Sequence, residues 1–205
     1  MIMRGVVQSL TGVLQRSAAT LGLMLLALLP ASQTASAQED AAVQFVQRVT
    51  RELVSAGRAH SALQFSETIK RNANVGAIGT YALGTYQAKL PASDRDTYLT
   101  GMVRFISRYA ATESQKYPIS HVVVSGPSRR VTAGVMVDSK IHMRDGATYD
   151  VQWLLHQTGG GFKVRDAKVQ VLLGDYWMSP FLKDLFEKYI AENGSVAALV
   201  VALNR

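Results

Sequence analysis

The chain has 205 residues, with 22 Lys and Arg against 15 Asp and Glu, a net charge of +7 and no cysteine. Without cysteine there is no disulfide framework and no thiol to carry a lipid anchor. The basic residues are dispersed, with no run of Lys or Arg. That excludes the clustered stripe of a nucleic-acid-binding protein and leaves a solvated basic surface with a weak pull toward anionic lipid or an acidic partner.

The first 37 residues read as a targeting segment. Arg4 and Arg16 are its only charges. The apolar run AATLGLMLLALL covers 18–29, Pro30 ends it, and the small residues ASQTASA lead to Ala37. A basic start, an apolar run of about a dozen residues and an A-x-A site (Ala35, Ser36, Ala37) predict a cleaved secretory signal peptide over 1–37. The run is shorter than the roughly 20 apolar residues a spanning helix needs, which argues against an uncleaved anchor. Cleavage after Ala37 removes two positive charges, taking the net charge from +7 to +5 over residues 38–205. That length suits one domain with one core. It would fold without disulfides in a periplasm-like compartment.

The first half reads as helices. Val43, Val46, Val49, Leu53 and Val54 share one face of a helix expected over 40–56, with Gly57 as its stop. A short helix is expected over 61–71. The stretch VGAIGTYALGTYQAKL, 75–90, reads as an apolar helix from Val75 to Lys89 although it holds Gly76, Gly79 and Gly84. Each glycine in a helix interior costs roughly 1 kcal/mol relative to alanine. Either they let a neighbour approach closely, or one of them ends a shorter helix. Pro91 breaks the chain, and Ser93 with Asp96 approximates a capping box for a helix over 94–111. Its apolar stripe is Tyr98, Met102, Phe105 and Tyr109, widened by Leu99, Val103, Ile106 and Ala110.

From His121 the period changes to two. Val131, Ala133, Val135, Val137 and Ile141 alternate with polar or small residues, and Arg144–Gly146 forms a hairpin turn on its Asp-Gly pair. Tyr149, Val151, Trp153 and Leu155 return on one face, while Leu154 joins Asp150, Gln152 and His156 on the other. After the turn TGGG at 158–161, Phe162 and Val164 give way to Val169, Val171 and Leu173, and this parity switch near Ala167 predicts a bulge. A helix over 176–191 carries Trp177, Phe181, Leu182, Leu185, Phe186, Tyr189 and Ile190. Gly194 stops it, Ser195 caps the next, and Val196, Leu199, Val200 and Leu203 line a short final helix. Helices followed by an antiparallel meander predict an α+β domain, with helices packed on a strongly curved antiparallel sheet.

No catalytic constellation stands out. His60, His121, His142 and His156 are scattered, without metal-ligand spacing, and no nucleophile-elbow or phosphate-loop motif occurs. Asp138 and Asp150 read as solvent-facing strand carboxylates. Asp166, near the expected bulge, could be a buried hydrogen-bonding group. What the chain has in excess is apolar surface, which either fills a core or lines an apolar cavity.

The segment YALGTYQAKLPASDRDTYLTGMVRFISRYA, 81–110, resembles the MlaC family of periplasmic phospholipid-binding proteins, which belong to the Mla (maintenance of lipid asymmetry) pathway and are also called toluene-tolerance auxiliary components. Leu83, Gly84 and Tyr86 match its L-G-x-Y motif, Asp94-Arg95 stands in place of Gln-Arg, and Tyr109 corresponds to the tyrosine of its apolar helix. GGGFKVRDAKVQ, 159–170, is similar to the family's G-x-W-K-V-x-D-V strand through Lys163, Val164 and Asp166. Departures mark a divergent branch: Asn74-Val75 for Asp-Phe, Thr80 for Arg, Gln87 and Phe162 for Trp, Val171 and Leu173 for Gly and Ser, and Met178 for Arg.

The resemblance implies an apolar cavity that hides the acyl chains of a phospholipid and leaves the headgroup outside. It implies a monomeric periplasmic shuttle without cofactor or metal, carrying lipid between inner and outer membranes. Its partners would be an inner-membrane ABC lipid transporter complex and an outer-membrane lipoprotein complex. Inward-facing periodic positions give the candidate lining: Leu83, Met102, Ile106, Val135, Val137, Val151, Trp153, Leu155 and Phe181. A hopanoid-associated lipid-binding protein is one variant of this reading. The rival classes are a small cone-shaped α+β enzyme using Asp166 in an apolar pocket, and a protein-binding domain with a filled core.

Overall fold

Three helix starts are set by a polar side chain just ahead of an apolar run. Ser61 Oγ accepts from the Gln64 N–H, Asn74 Oδ1 from Ala77 and Ser195 Oγ from Ala198, each satisfying a donor that the first helical turn leaves free. The computed structural model describes residues 31–171 and 174–205. The signal segment up to Pro30 and the expected strand residue Leu173 lie outside the described residues. Helices α1 (Ala31–Arg58), α2 (Ala62–Asn72) and α3 (Val75–Ala82) lead into 3-10 turns at Gly84–Lys89 and Ala92–Asp94, then α4 (Arg95–Lys116). Strands β1 (Ile119–Val131), β2 (Gly134–Met143), β3 (Thr148–Thr158), β4 (Gly161–Val171) and β5 (Gly174–Trp177) follow, and α5 (Met178–Asn193) and α6 (Val196–Asn204) close the chain. The strands form one open antiparallel sheet in sequence order, so the fold class is α+β as expected.

The glycine-bearing helix is shorter than its pattern suggests. It ends at Ala82, and Gly84, with φ +51, turns the chain into a 3-10 segment. Gly79 does the other job. A Cβ there would lie 2.4 Å from Leu99 Cδ2, and the Tyr98 hydroxyl donates to the Gly79 carbonyl at 2.8 Å. The capping box does not form: the Ser93 hydroxyl bonds Asp94 instead, and α4 begins without a side-chain cap. That helix also runs beyond Tyr109, which is 57% exposed, to Lys116.

The sheet keeps most of the predicted phase. Val135 faces Leu155 across the β2–β3 ladder, Val137 faces Trp153, and Ile141 faces Tyr149. Two details differ. Thr132 and Ala133 form a turn between β1 and β2, so Val131 ends the first strand rather than continuing the second. The bulge lies at Arg165, where the register shifts between Val164 and Asp166, two residues ahead of its expected place. Gly194 and Ser195 hold their predicted roles, with Gly194 left-handed at φ 81.

Two large apolar clusters result, beside a small one of Ala56, Phe65 and Ala111. One joins α3, α4, α5 and α6 through Leu83, Tyr98, Met102, Phe186, Ile190 and Leu199. The other packs Phe45, Val46 and Val49 of α1 on Val135, Val137, Val151, Trp153, Leu155 and Val164 of the sheet. Both hold side chains nearly free of solvent contact, which is where most of the fold's favourable free energy arises.

Candidate functional site

The nine candidate lining residues divide between the clusters. Leu83 and Met102 are buried in the helical one, with Ile106 packed against it. Val135, Val137, Val151, Trp153 and Leu155 are buried under α1 on the sheet. There the Trp153 indole N–H donates to Ser139 Oγ at 2.9 Å, which satisfies the one polar atom that this large ring brings into the core. Phe181 differs from expectation. The buried face of α5 is Leu182, Phe186 and Ile190, and Phe181, one position off it, is 47% exposed.

A cleft of about 340 Å³ opens where α3 and the start of α5 meet strands β3 to β5. Ile78 and Tyr81 of α3, Leu154 of β3, Trp177 and Pro180 give it a mostly apolar wall, with Arg165 and Asp166 of β4 on the same wall. None of the nine candidates lines it. The signal that would have found it is apolar residues out of phase: Leu154 stands on the polar side of its strand, and Trp177 ends β5 instead of lying in the following helix. Exposed apolar side chains continue outward from α3 and α5, with Tyr81 at 50% exposure and Met178, Phe181 and Leu185 also open to solvent.

Asp166 has a structural task here. Its Oδ1 accepts from the Ser179 N–H at 3.0 Å and from the Ala167 N–H at 2.8 Å. The N-cap position of α5 is Trp177, whose side chain makes no cap hydrogen bond. A carboxylate from the neighbouring strand therefore caps that helix and meets its positive end. Burial pushes the Asp166 carboxyl above its ordinary range, against the opposing pull of the Ser179 and Ala167 N–H groups.

The remaining strand carboxylates are paired on the surface. Arg129 holds both oxygens of Asp138, at 2.9 and 2.7 Å, and Gln152 adds a third bond. Lys140 pairs with Asp150. Among the described residues no group of three or more His, Cys, Asp or Glu could hold a metal ion, and no helix is long and apolar enough to cross a membrane.

The fold is similar to that of a phospholipid-binding protein from Ralstonia solanacearum, solved in complex with a phospholipid. The two share 18% identity with a TM-score of 0.61, over 78% of this chain and 93% of that one. No curated protein sequence matches the chain. The family model described as MlaC protein matches residues 38–203, which is most of the chain, including both apolar clusters and the cleft. The chain belongs to the MlaC family.

Proposed function

We propose that this protein binds a phospholipid with its acyl chains buried, and carries it across the periplasm between the inner and outer membranes as the soluble component of an ABC-type lipid transport system. The observation that carries the reading is an apolar cleft where α3 and the start of α5 meet the sheet, on a fold similar to that of a Ralstonia protein solved with a phospholipid. The family match begins at residue 38, where the expected mature chain begins after a cleaved signal peptide.

The physics of the task is simple. Each CH₂ exposed to water costs about 0.8 kcal/mol, so a chain of roughly sixteen carbons costs on the order of 10 kcal/mol. A carrier must remove that cost without holding lipid much better than a bilayer does. Walls of Val, Leu, Met and Phe meet this condition, because hydrocarbon has similar surroundings in either place. Leu83, Met102 and Ile106 supply one wall and Val135, Val137, Val151, Trp153 and Leu155 the other, with Phe181 outside at the rim. These walls lie in different clusters, so the layers part as chains enter. The chemistry needs no cofactor and no catalytic residue. A monomer suffices for it, and direction comes from the transporter and lipoprotein complexes at either membrane.

The test is lipid uptake from vesicles by V137W and V151W. Each fills the sheet wall at a cost of about 1–3 kcal/mol in stability. The expected result is folded protein with reduced lipid occupancy. Unchanged occupancy in folded variants would reject the wall assignment.

A second reading, proton transfer by Asp166 in the cleft, draws on its raised pKa. Its two backbone hydrogen bonds favour the capping role. Lipid binding retained in D166N, with no substrate turnover found to lose, is the result that supports a carrier.

A further inference from the structure

Arg165 is the residue that the β4 bulge sets apart. The ladder pairs Leu154 with Asp166 and Leu155 with Val164, so Arg165 has no partner across the strand. Bulges re-aim side chains, and this one sets a guanidinium against the wall of the cleft. A guanidinium carries five N–H donors in a planar fork. Here Nη1 donates to the Ala133 carbonyl in the β1–β2 turn at 3.1 Å, which steadies the group and leaves most of the fork open. Arg165 is exposed, and no carboxylate pairs with it among the described residues. The adjacent Asp166 turns Oδ1 to the Ala167 and Ser179 N–H groups instead. Other cations near this end of the sheet are already engaged: Arg129 holds Asp138, and Lys168 holds Asp175.

A cleft with an apolar wall of Ile78, Leu154, Trp177 and Pro180 and one open guanidinium suits a molecule with a hydrocarbon part and an anionic oxygen group a short distance away. We propose that Arg165 holds the phosphate of a lipid headgroup, while the first part of an acyl chain lies against this wall. Arg165 is then a specificity-determining residue that separates phosphate-bearing lipids from neutral ones of the same chain length. The assignment rests on the lipid-binding reading given above.

The experiment compares uptake of phosphatidylglycerol and of diacylglycerol with matched chains, for the wild-type protein, R165Q, R165K and the distant control K70Q. Thermal unfolding of each variant reports whether it is folded, since R165Q also loses the bond to Ala133. One charge-assisted contact is worth about tenfold in affinity. The wild type and K70Q are therefore expected to favour phosphatidylglycerol by about that factor. R165Q is expected to bring the ratio near one while leaving diacylglycerol binding unchanged, and R165K to keep part of the preference. An undiminished ratio in folded R165Q overturns the proposal. Glycerol 3-phosphate, which has no tails, is the third ligand. If it binds the wild type but not R165Q while the two lipids bind alike, the site is one for free phosphate and the proposal is overturned. Uptake of neither lipid by the wild type defeats the lipid-binding reading itself, a result distinct from a lost preference.

Discussion

Gly76, Gly79 and Gly84 occupy one short stretch and meet three different surroundings. At Gly76 an added Cβ touches nothing within 4 Å, whereas at Gly79 it runs into Leu99. Gly76→Ala should therefore raise stability by about 0.4–1 kcal/mol by restricting the unfolded chain. Gly79→Ala should lower it by about 1–3 kcal/mol, because α3 can no longer seat on α4. Chemical denaturation of both variants checks the contrast, and equal effects would contradict it. At Gly84 the positive φ comes with a close approach by the Glu187 carboxylate, which accepts from the Thr85 N–H at 2.9 Å and from Lys183 at 2.6 Å. Sequence alone shows three glycines in an apolar run, and it cannot show which has a neighbour. Asp166 gives a pH prediction. Its carboxyl is raised in the folded state above its unfolded value, so its contribution is fully present below the unfolded pKa and is lost as pH rises through the folded one. The stability of the wild type relative to D166N should thus improve as pH falls from neutral into that range. Paired denaturation curves at several pH values measure it, and a difference that moves the other way would contradict the assigned burial.

At the scale of elements, periodicity was a good guide wherever one face is buried. The β2–β3 register follows from the alternation of Val135, Val137, Val151, Trp153 and Leu155, because slipping by one residue would turn that whole set to solvent. The Asp-Gly turn at 145–146 was legible for its own chemistry. The turn at Thr132 and Ala133 was not, since neither residue is a turn former and the apolar alternation runs straight across it. β5 was missed because four residues, GDYW, carry too little pattern. The cleft was missed for a related reason: Leu154 lies out of phase in the middle of its strand, and Trp177 and Pro180 sit where short β5 passes into α5. α4 holds a testable imperfection. Ser107 is 1% exposed and its hydroxyl has no hydrogen-bond partner among the described residues. Ser107→Ala should stabilise the fold by about 1 kcal/mol, since a buried unsatisfied hydroxyl costs on the order of 1–3 kcal/mol. A loss of stability in that variant would mean that the hydroxyl is engaged after all.

For the whole molecule, the proposed lipid carriage uses the division into a helical cluster and a sheet cluster with α1. A single packed core resists entry because each void created in it is costly. On the proposed reading the two clusters part along their boundary, and an acyl chain placed there replaces apolar contacts with apolar contacts. The family resemblance was legible from L-G-x-Y at Leu83 to Tyr86 and from K-V-x-D at Lys163 to Asp166. Both stretches prove to hold contacts to α5: Gly84 lies beside Glu187 within the helical cluster, and Asp166 of β4 caps the start of the same helix and so joins it to the sheet. The measurement that tests the account most directly is mass spectrometry of the protein after export and purification without detergent, first native and then after denaturation and lipid extraction. The account predicts one phospholipid per chain, released on denaturation. Protein that is bare as purified, and still bare after incubation with phospholipid vesicles, would contradict it.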